Sequence, residues 1–302
     1  MMRFWSFGNR GLIVGVLLLV PQLVCGETFK IGSISDSPVA ETRKFWPFAA
    51  YLARQLQSEG IDQGKVVVAD SLSGMSSFLQ TRQADLYIDS FFPSLAVSRL
   101  CGSKLLLRRW KTRKGVHRSV IFTNKDSNIG RLEDLRGKVI AFESPFSSSG
   151  YFFPKIVLLE RGLRLVFKRL ETDSVKPDEV GYVFTHTDSK TILLVLNRVV
   201  AAGATEEEKY FTTARNLDSF KLLHETNPFP RHMVSHRADL PAKMVAKVKD
   251  ILLNMHHTDE GNQVLQAFES TTRFEEIPTR DIALAAGVMK HIDTEIKHQL
   301  QR

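Results

Sequence analysis

The sequence predicts an α/β protein of two lobes, each a mostly parallel sheet flanked by helices. Three observations predict it. Short β-branched runs alternate with amphipathic runs from residue 29 to residue 109. A second such series runs from residue 119 to residue 204. From Pro241 onward the pattern is helical, so two βα sets end in a returning helical tail. A chain of 302 residues, 43% hydrophobic and 25% charged, has the composition of a folded globular protein and excludes wholesale disorder. Two cysteines exclude a disulfide-built scaffold. The net charge of +8 comes with no long basic tract, so no nucleic-acid partner is expected.

Residues 1–26 read as a secretory signal peptide. Arg3 and Arg10 form the positive region, and residues 12–20 form an apolar stretch too short for a spanning helix of roughly 20 residues. Val24 and Gly26 are small enough for cleavage before Glu27, which places the protein in the periplasm. Cys25 offers lipid anchoring as the alternative, but Val24 and Gln22 fit a lipobox poorly. Cleavage leaves Cys101 as the single cysteine, read as a small buried hydrophobe.

Residues 29–34 (FKIGSI) read as a buried strand, and 44–56 as a helix with Phe45, Phe48, Ala49, Leu52 and Leu56 on one face. Residues 65–69 (KVVVA) are a strand, 74–83 a short helix and 84–89 (ADLYID) a third strand. A helix over 93–100 and a strand over 105–109 complete the first set. The second set has strands over 119–123, 138–142 and 180–184, with helices over 132–135 and 151–161, the latter stopped by Gly162. A helix over 191–196 leads to residues 199–204, and 220–224 is the last strand. The tail carries helices over 244–255, 260–267 and 280–298. The expected division is 27–115 plus 228–302 for lobe 1 and 116–227 for lobe 2, with crossings near 114–118 and 226–231.

The strongest chemical signal is the stretch ESPFSSSGY over residues 143–151, where a strand ends and a helix begins. Ser147, Ser148 and Ser149 supply hydroxyls, and the amides of Gly150 and Tyr151 belong to a first helical turn whose N–H groups lack intrahelical partners. Together they form a cradle for a tetrahedral oxyanion, although a serine-rich cap taken alone is more often only a cap. No lysine follows the glycine, so this is not a Walker loop. Ser90 and Phe91 occupy the matching strand-to-helix turn of the first lobe, and residues 35–42, ending at Thr42, form a third loop at the same sheet edge. No nucleophile elbow and no metal-ligand spacing occurs, so neither an enzyme nor a metal or cofactor is expected. Asp85 and Asp89 would lie about 13 Å apart on one strand, too far for a general acid/base pair. Arg108, Arg109, Lys111, Arg113 and Lys114 form a basic cluster, read as a solvated lobe surface, with a docking patch for a membrane partner as the other reading.

At this point the residues resemble the periplasmic phosphate/phosphite/phosphonate-binding proteins of ABC transport systems. The resemblance spans about residues 29–286 and rests on ADLYIDSFFP, DLRGKVIAF, SSSGYFFP, VVAAGAT and TNPFPRHMV. It implies the two-lobed periplasmic-binding-protein fold and an oxyanion gripped by Ser147, Ser148 and Ser149. The family's second-lobe His and Asp fall on Asp188 and Ala201. Asp188 would accept a proton from a protonated oxyanion or an amine and repel a dianion, so the aminoalkylphosphonate preference is not carried over. A related branch is similar to arsenite-sensing proteins that signal to a membrane histidine kinase through a cysteine. Cys101 follows Ser90 by 11 residues of mostly helix, roughly 12–16 Å at ~1.5 Å per residue, which argues against a role as ligand. The expectation is a monomeric solute-binding protein that closes on a small oxyanion and presents it to a transporter permease. A sensor subunit for a membrane kinase is the alternative, and an exported serine hydrolase a remote one.

Overall fold

The computed structural model describes residues 1–2, 26–214 and 218–300; the signal-peptide expectation and Cys25 lie outside them. The chain starts with β1 (Glu27–Ile34), α1 (Pro38–Gln55), β2 (Ile61–Ala69), α2 (Leu72–Gln80), β3 (Leu86–Ser90), α3 (Phe91–Cys101) and β4 (Lys104–Lys111). The crossing strand β5 (Val116–His117) leads to β6 (Ser119–Asn124), β7 (Val139–Phe142), α4 (Phe153–Glu160), β8 (Arg164–Phe167), β9 (Glu179–Phe184), α5 (Asp188–Leu196), β10 (Ala202–Glu206), the short α6 (Glu207–Lys209) and β11 (Phe220–Glu225). The return crossing β12 (Phe229–Pro230) precedes β13 (His232–His236), α7 (Ala242–Asn254), α8 (Asp259–Ala267), β14 (Thr271–Glu275) and α9 (Thr279–Leu300).

The strands form two six-stranded sheets, ordered β14-β4-β13-β3-β1-β2 and β11-β6-β10-β7-β9-β8, while β5 and β12 pair with each other between them. Both sheets are mixed: most strands of each run in one direction, as expected, with antiparallel strands inserted among them. In the first sheet β13 runs antiparallel between β3 and β4. In the second sheet β6 runs antiparallel to β10 and β11. The reason is the return crossing: β13 comes back from the second sheet and enters the first from the opposite end.

Helices cover both faces of each sheet. Phe45, Phe48 and Leu52 of α1 pack with Leu252 and Phe268 on one face of the first sheet. Met75, Leu79, Phe92 and Ile292 fill the other. At Gly64 a Cβ would stand 2.1 Å from the Ala49 carbonyl oxygen, so glycine lets α1 lie directly on β2. The second sheet is covered by a cluster around Phe142, Tyr151 and Leu158 and by another around Phe122, Ile192 and Val195. One core is shared between the lobes: Phe152 stacks on Phe92 at 4.2 Å and Phe153 on Phe229 at 3.8 Å between ring centroids.

The basic cluster is solvated surface only in part: Arg113 and Lys114 are exposed, whereas Arg108 and Arg109 are buried. Arg109 is fully buried, with its guanidinium on Glu269, on the Phe268 carbonyl and over the Phe268 ring. Arg108 is likewise buried against Glu275 and Asp281. Both sit on β4, an interior strand whose side chains face α8, β14 and α9, so their charges meet carboxylates from the tail.

Candidate functional site

The two sheets turn one edge toward each other and enclose a cleft of about 580 Å³. The first sheet contributes the residues after β1, the ends of β3 and β4 and the start of β13: Ser35, Asp36 and Ser37, Asp89 and Ser90, Lys111, and His232. The second contributes residues after β7 and β9 and the end of β10: Glu143 and residues 147–149, His186 and Asp188, and Glu206. The crossings add His117 and Arg231. Ligands of open α/β sheets bind outside the carboxyl ends of parallel strands, which is where β1, β3, β7, β9 and β10 terminate here.

The serine loop folds on itself before it meets the cleft. The Glu143 amide donates to the Gly150 carbonyl at 3.0 Å and closes the loop. Ser147 Oγ accepts from the Gly150 amide at 2.8 Å, so this serine caps its own helix and the Gly150 N–H is already spent. One π turn over Ser148–Phe152 follows, sealed by the Phe152 amide donating to the Ser147 carbonyl. A Cβ at Gly150 would lie 2.5 Å from Glu143 Cβ, so glycine is required by the close approach of that side chain. Ser148 is 1% exposed. Its hydroxyl donates to Ser90 Oγ at 3.0 Å and accepts from the Phe92 amide at 2.8 Å. It therefore caps α3 across the lobe boundary, where the helix's own Ser90 makes no side-chain cap bond. Ser149 lines the cleft, and among the described residues no hydrogen bond engages its hydroxyl.

Four expected site residues are not part of the cleft lining: Gly150, which lies beneath Glu143, and Tyr151, Phe91 and Thr42. Tyr151 is fully buried; its hydroxyl donates to Glu295 of α9 at 2.7 Å and accepts from Lys155 at 2.8 Å. Phe91 is fully buried and stacks on Phe153 at 6.3 Å, because α3 begins at this residue and directs its ring into the shared core. Thr42 is exposed within α1, which starts at Pro38 and leaves only residues 35–37 as loop. Ser90 and Asp188 do line the cleft. Asp188 opens α5 and accepts from Thr205 Oγ1. Ala201 sits half-buried against the second-lobe core and brings no polar group to the cleft. Cys101 ends α3, away from the cleft lining, with its thiol on the Val97 carbonyl.

Of the charged residues of the cleft, the sequence reading named only Asp188 as a binding residue. Glu143 immediately precedes the serine loop; burial, then the neighbouring Asp188, pushes its carboxyl up to about 7, against the opposing pull of Ser147. Burial raises Asp89 to about 7 as well, although the Ser90 amide and the Tyr87 hydroxyl donate to it. Asp188 is raised by burial, with Thr205 opposing and Glu206 adding. Glu206 behaves in the opposite way: burial pushes its carboxyl up, but His117, Arg231 and Lys111 outweigh that and hold it at about 2. Lys111 is lowered by burial even though it is held by Glu269 at 3.0 Å. His117 and His232 are lowered by burial, His232 further by Lys111 and Arg109, so both rings are neutral at pH 7. At the mouth His186 of the second lobe and Asp36 of the first meet at 2.7 Å. The only signal for Glu143 in the sequence is its place at the end of a strand beside three serines.

Residues 31–281 match a family model described as the periplasmic substrate-binding protein of a phosphonate ABC transporter. A Xanthomonas citri protein solved with chloride ion superposes with a TM-score of 0.84 at 21% identity, over 90% of this chain and 99% of that one. A structure of the same protein bound to ATP gives 0.83 at 20% identity, over 90% and 98%. A methylphosphonate complex from Prochlorococcus marinus gives 0.63 at 18% identity, over 87% and 98%. At these identities the structural likeness establishes the two-lobed fold.

Proposed function

Since the chain belongs to the family of periplasmic substrate-binding proteins of phosphonate ABC transporters, we propose that its cleft captures a small phosphonate- or sulfonate-type anion for a membrane permease. The observation that carries this reading is the unengaged hydroxyl of Ser149, at the start of a helix and facing Ser90 and the residue 35–37 loop across the cleft. Ser147 and Ser148 hold the loop and the lobes in place, which supports the serines as ligand and scaffold groups rather than nucleophiles. Glu143 and Asp188 beside the loop favour a ligand that brings a proton or an ammonium group with its oxyanion, and disfavour a bare dianion.

Capture would proceed by closure of lobe 1 (27–115 with 228–302) on lobe 2 (116–227) about β5 and β12. The cleft is built within a single chain, which supports action as a monomer. Residues 1–26 are proposed as a cleaved export signal. A sensor subunit for a membrane kinase would use the same closure with a different partner.

A thermal-shift panel on residues 27–302 tests the reading. It comprises methylphosphonate, 2-aminoethylphosphonate, phosphate, phosphite, methanesulfonate, arsenite and ATP. A bound ligand at 100 times its Kd adds about 2.7 kcal/mol of stability. A shift with a phosphonate or sulfonate is expected. A shift with arsenite or ATP alone would overturn the assignment.

A further inference from the structure

The serine loop is held from behind by α9, a helix that lines none of the cleft. Two residues one turn apart on α9 reach its two flanks. Gln299 Nε2 donates to the Pro145 carbonyl at 2.7 Å, just before Ser147. Glu295 accepts from the Tyr151 hydroxyl at 2.7 Å and from Lys155 at 2.6 Å, just after Ser149. The two α9 side chains are themselves joined, Gln299 donating to Glu295 at 3.1 Å. Glu295 is 3% exposed. Burial pushes its carboxyl up, but His298, Lys155 and Tyr151 outweigh that and hold it at about 2, so it is a charged acceptor at neutral pH.

The two flanks differ in what else holds them. Tyr151 packs its ring against Phe142, Tyr182 and Phe184. On the other flank, residues 144–147 form a wall between two spaces. Ser144, Phe146 and Ser147 line the cleft. Pro145 and Phe146 line a second cavity of about 190 Å³ together with Leu72, Leu100 and Ile296. Packing fixes a segment when neighbours fill the space around it, and this one has the cleft on one side and a cavity on the other. Its local bonds shape the turn without tying it to the rest of the molecule: Ser147 N–H donates to the Ser144 carbonyl at 3.1 Å and Phe146 N–H to Ser144 Oγ at 3.2 Å. Ser90 Oγ reaches the Phe146 carbonyl only at 3.5 Å, the outer limit of a hydrogen bond. The short bond from Gln299 is the tie that anchors this flank.

We propose that Gln299 and Glu295 of α9 are positioning residues for the oxyanion cradle, fixing Pro145 and Tyr151 and with them the place of Ser149 between, without touching the ligand. This rests on the phosphonate reading above and adds to it the residues that set affinity from behind the loop. A loop fixed in advance loses little freedom when the anion arrives, and that is where the gain in affinity lies. α9 follows the return crossing, so a helix of the tail governs a loop of the second lobe.

Calorimetric titration of methylphosphonate into residues 27–302 tests it, with wild type beside Gln299 variants and a urea melt of each. Gln299→Ala removes the donor to Pro145, and Gln299→Glu also sets a like charge beside Glu295. Both should weaken binding about threefold to tenfold. Gln299→Lys keeps a donor for the Pro145 carbonyl and should bind nearly as well as wild type, a rescue that a merely structural role would not produce. Arg99→Ala breaks the exposed Arg99–Asp293 pair on the outer side of the same helix and should leave affinity unchanged. Glu295→Gln should weaken binding as well; if it does not fold, the Gln299 series still decides the matter. Equal affinity of wild type, Gln299→Ala and Gln299→Glu would overturn the clamp and leave the phosphonate reading standing. So would equal losses in Gln299→Ala and Gln299→Lys. Absence of binding by the wild type would overturn both.

Discussion

Glu143 is the residue on which selectivity turns, because it puts an ionisable carboxyl against a loop meant for an anion. With its carboxyl raised to about 7, first by burial and then by Asp188, it is neutral and able to donate below that pH, and repels an anion above it. Methanesulfonate keeps one charge across this range, so its affinity should weaken as pH rises through about 7, and Glu143→Gln should lessen the slope, leaving the part due to Asp89, whose carboxyl is also raised to about 7; a flat wild-type profile would contradict this. The same shift bears on stability. The folded carboxyl retains its proton where the unfolded one, at 4.5, has lost it, so ionisation of Glu143 costs stability progressively as pH rises between those values. Glu143→Gln should therefore gain on wild type in apo stability from about pH 5 to pH 8, on the order of 1 kcal/mol per pKa unit. Denaturant melts at the two pH values would read this gain. None of this is visible in a sequence that shows one more glutamate. The serines were visible as three hydroxyls between a strand and a helix, although two of them, Ser147 and Ser148, serve as caps. Arg109, by contrast, reads as surface until β14 and α8 bring Glu269 and Phe268 against it.

Among the elements, the meeting of two helix starts organises the molecule. The N-terminus of α3 and the π turn before α4 face each other, and Ser148 joins them by capping a helix of the other lobe. Ser148→Ala should leave the Phe92 amide buried without an acceptor and cost about 1 kcal/mol, the usual worth of a cap. Equal stability of the variant in urea melts would show that the cap is dispensable. Most helices and parallel strands were readable because their apolar periodicity is strong, as in α1 and in the valine run of β2. The strands that escaped have physical reasons. β13 (HMVSH) carries polar residues at both ends and is made a strand by its neighbours β3 and β4. β14 (TTRFE) is an edge strand with Phe274 as its one buried large apolar side chain, and β8 is a four-residue edge strand. Missing β13 also hid its antiparallel insertion, and with it His232 at the cleft. The start of α1 was set six residues late because its first turns are exposed and carry no periodic apolar residue before Phe45.

For the whole molecule, the shared aromatic core and α9 limit how the lobes can move. Phe92 on Phe152, Phe91 on Phe153 and Phe153 on Phe229 join the two sheets behind the cleft, and such pairs add about 0.5–1.5 kcal/mol each beyond their burial. Glu295 of α9 adds a buried link to Tyr151 and Lys155 of the second lobe. At the mouth the lobes meet through the exposed His186–Asp36 pair, a contact worth about 0–1 kcal/mol and easily broken. The molecule is thus tight at the crossings and weakly latched at the opening, as a cleft that admits and then encloses a solute must be. The central claim is that the opening leads to an anion held by the serine loop. Titration of methylphosphonate into wild type and Ser149→Ala tests it most directly. The account predicts saturable binding by the wild type and a loss of roughly tenfold to hundredfold in the variant at unchanged melting temperature, the worth of one hydrogen bond to a charged group. Equal affinity of the two proteins, or no binding by the wild type, would contradict it.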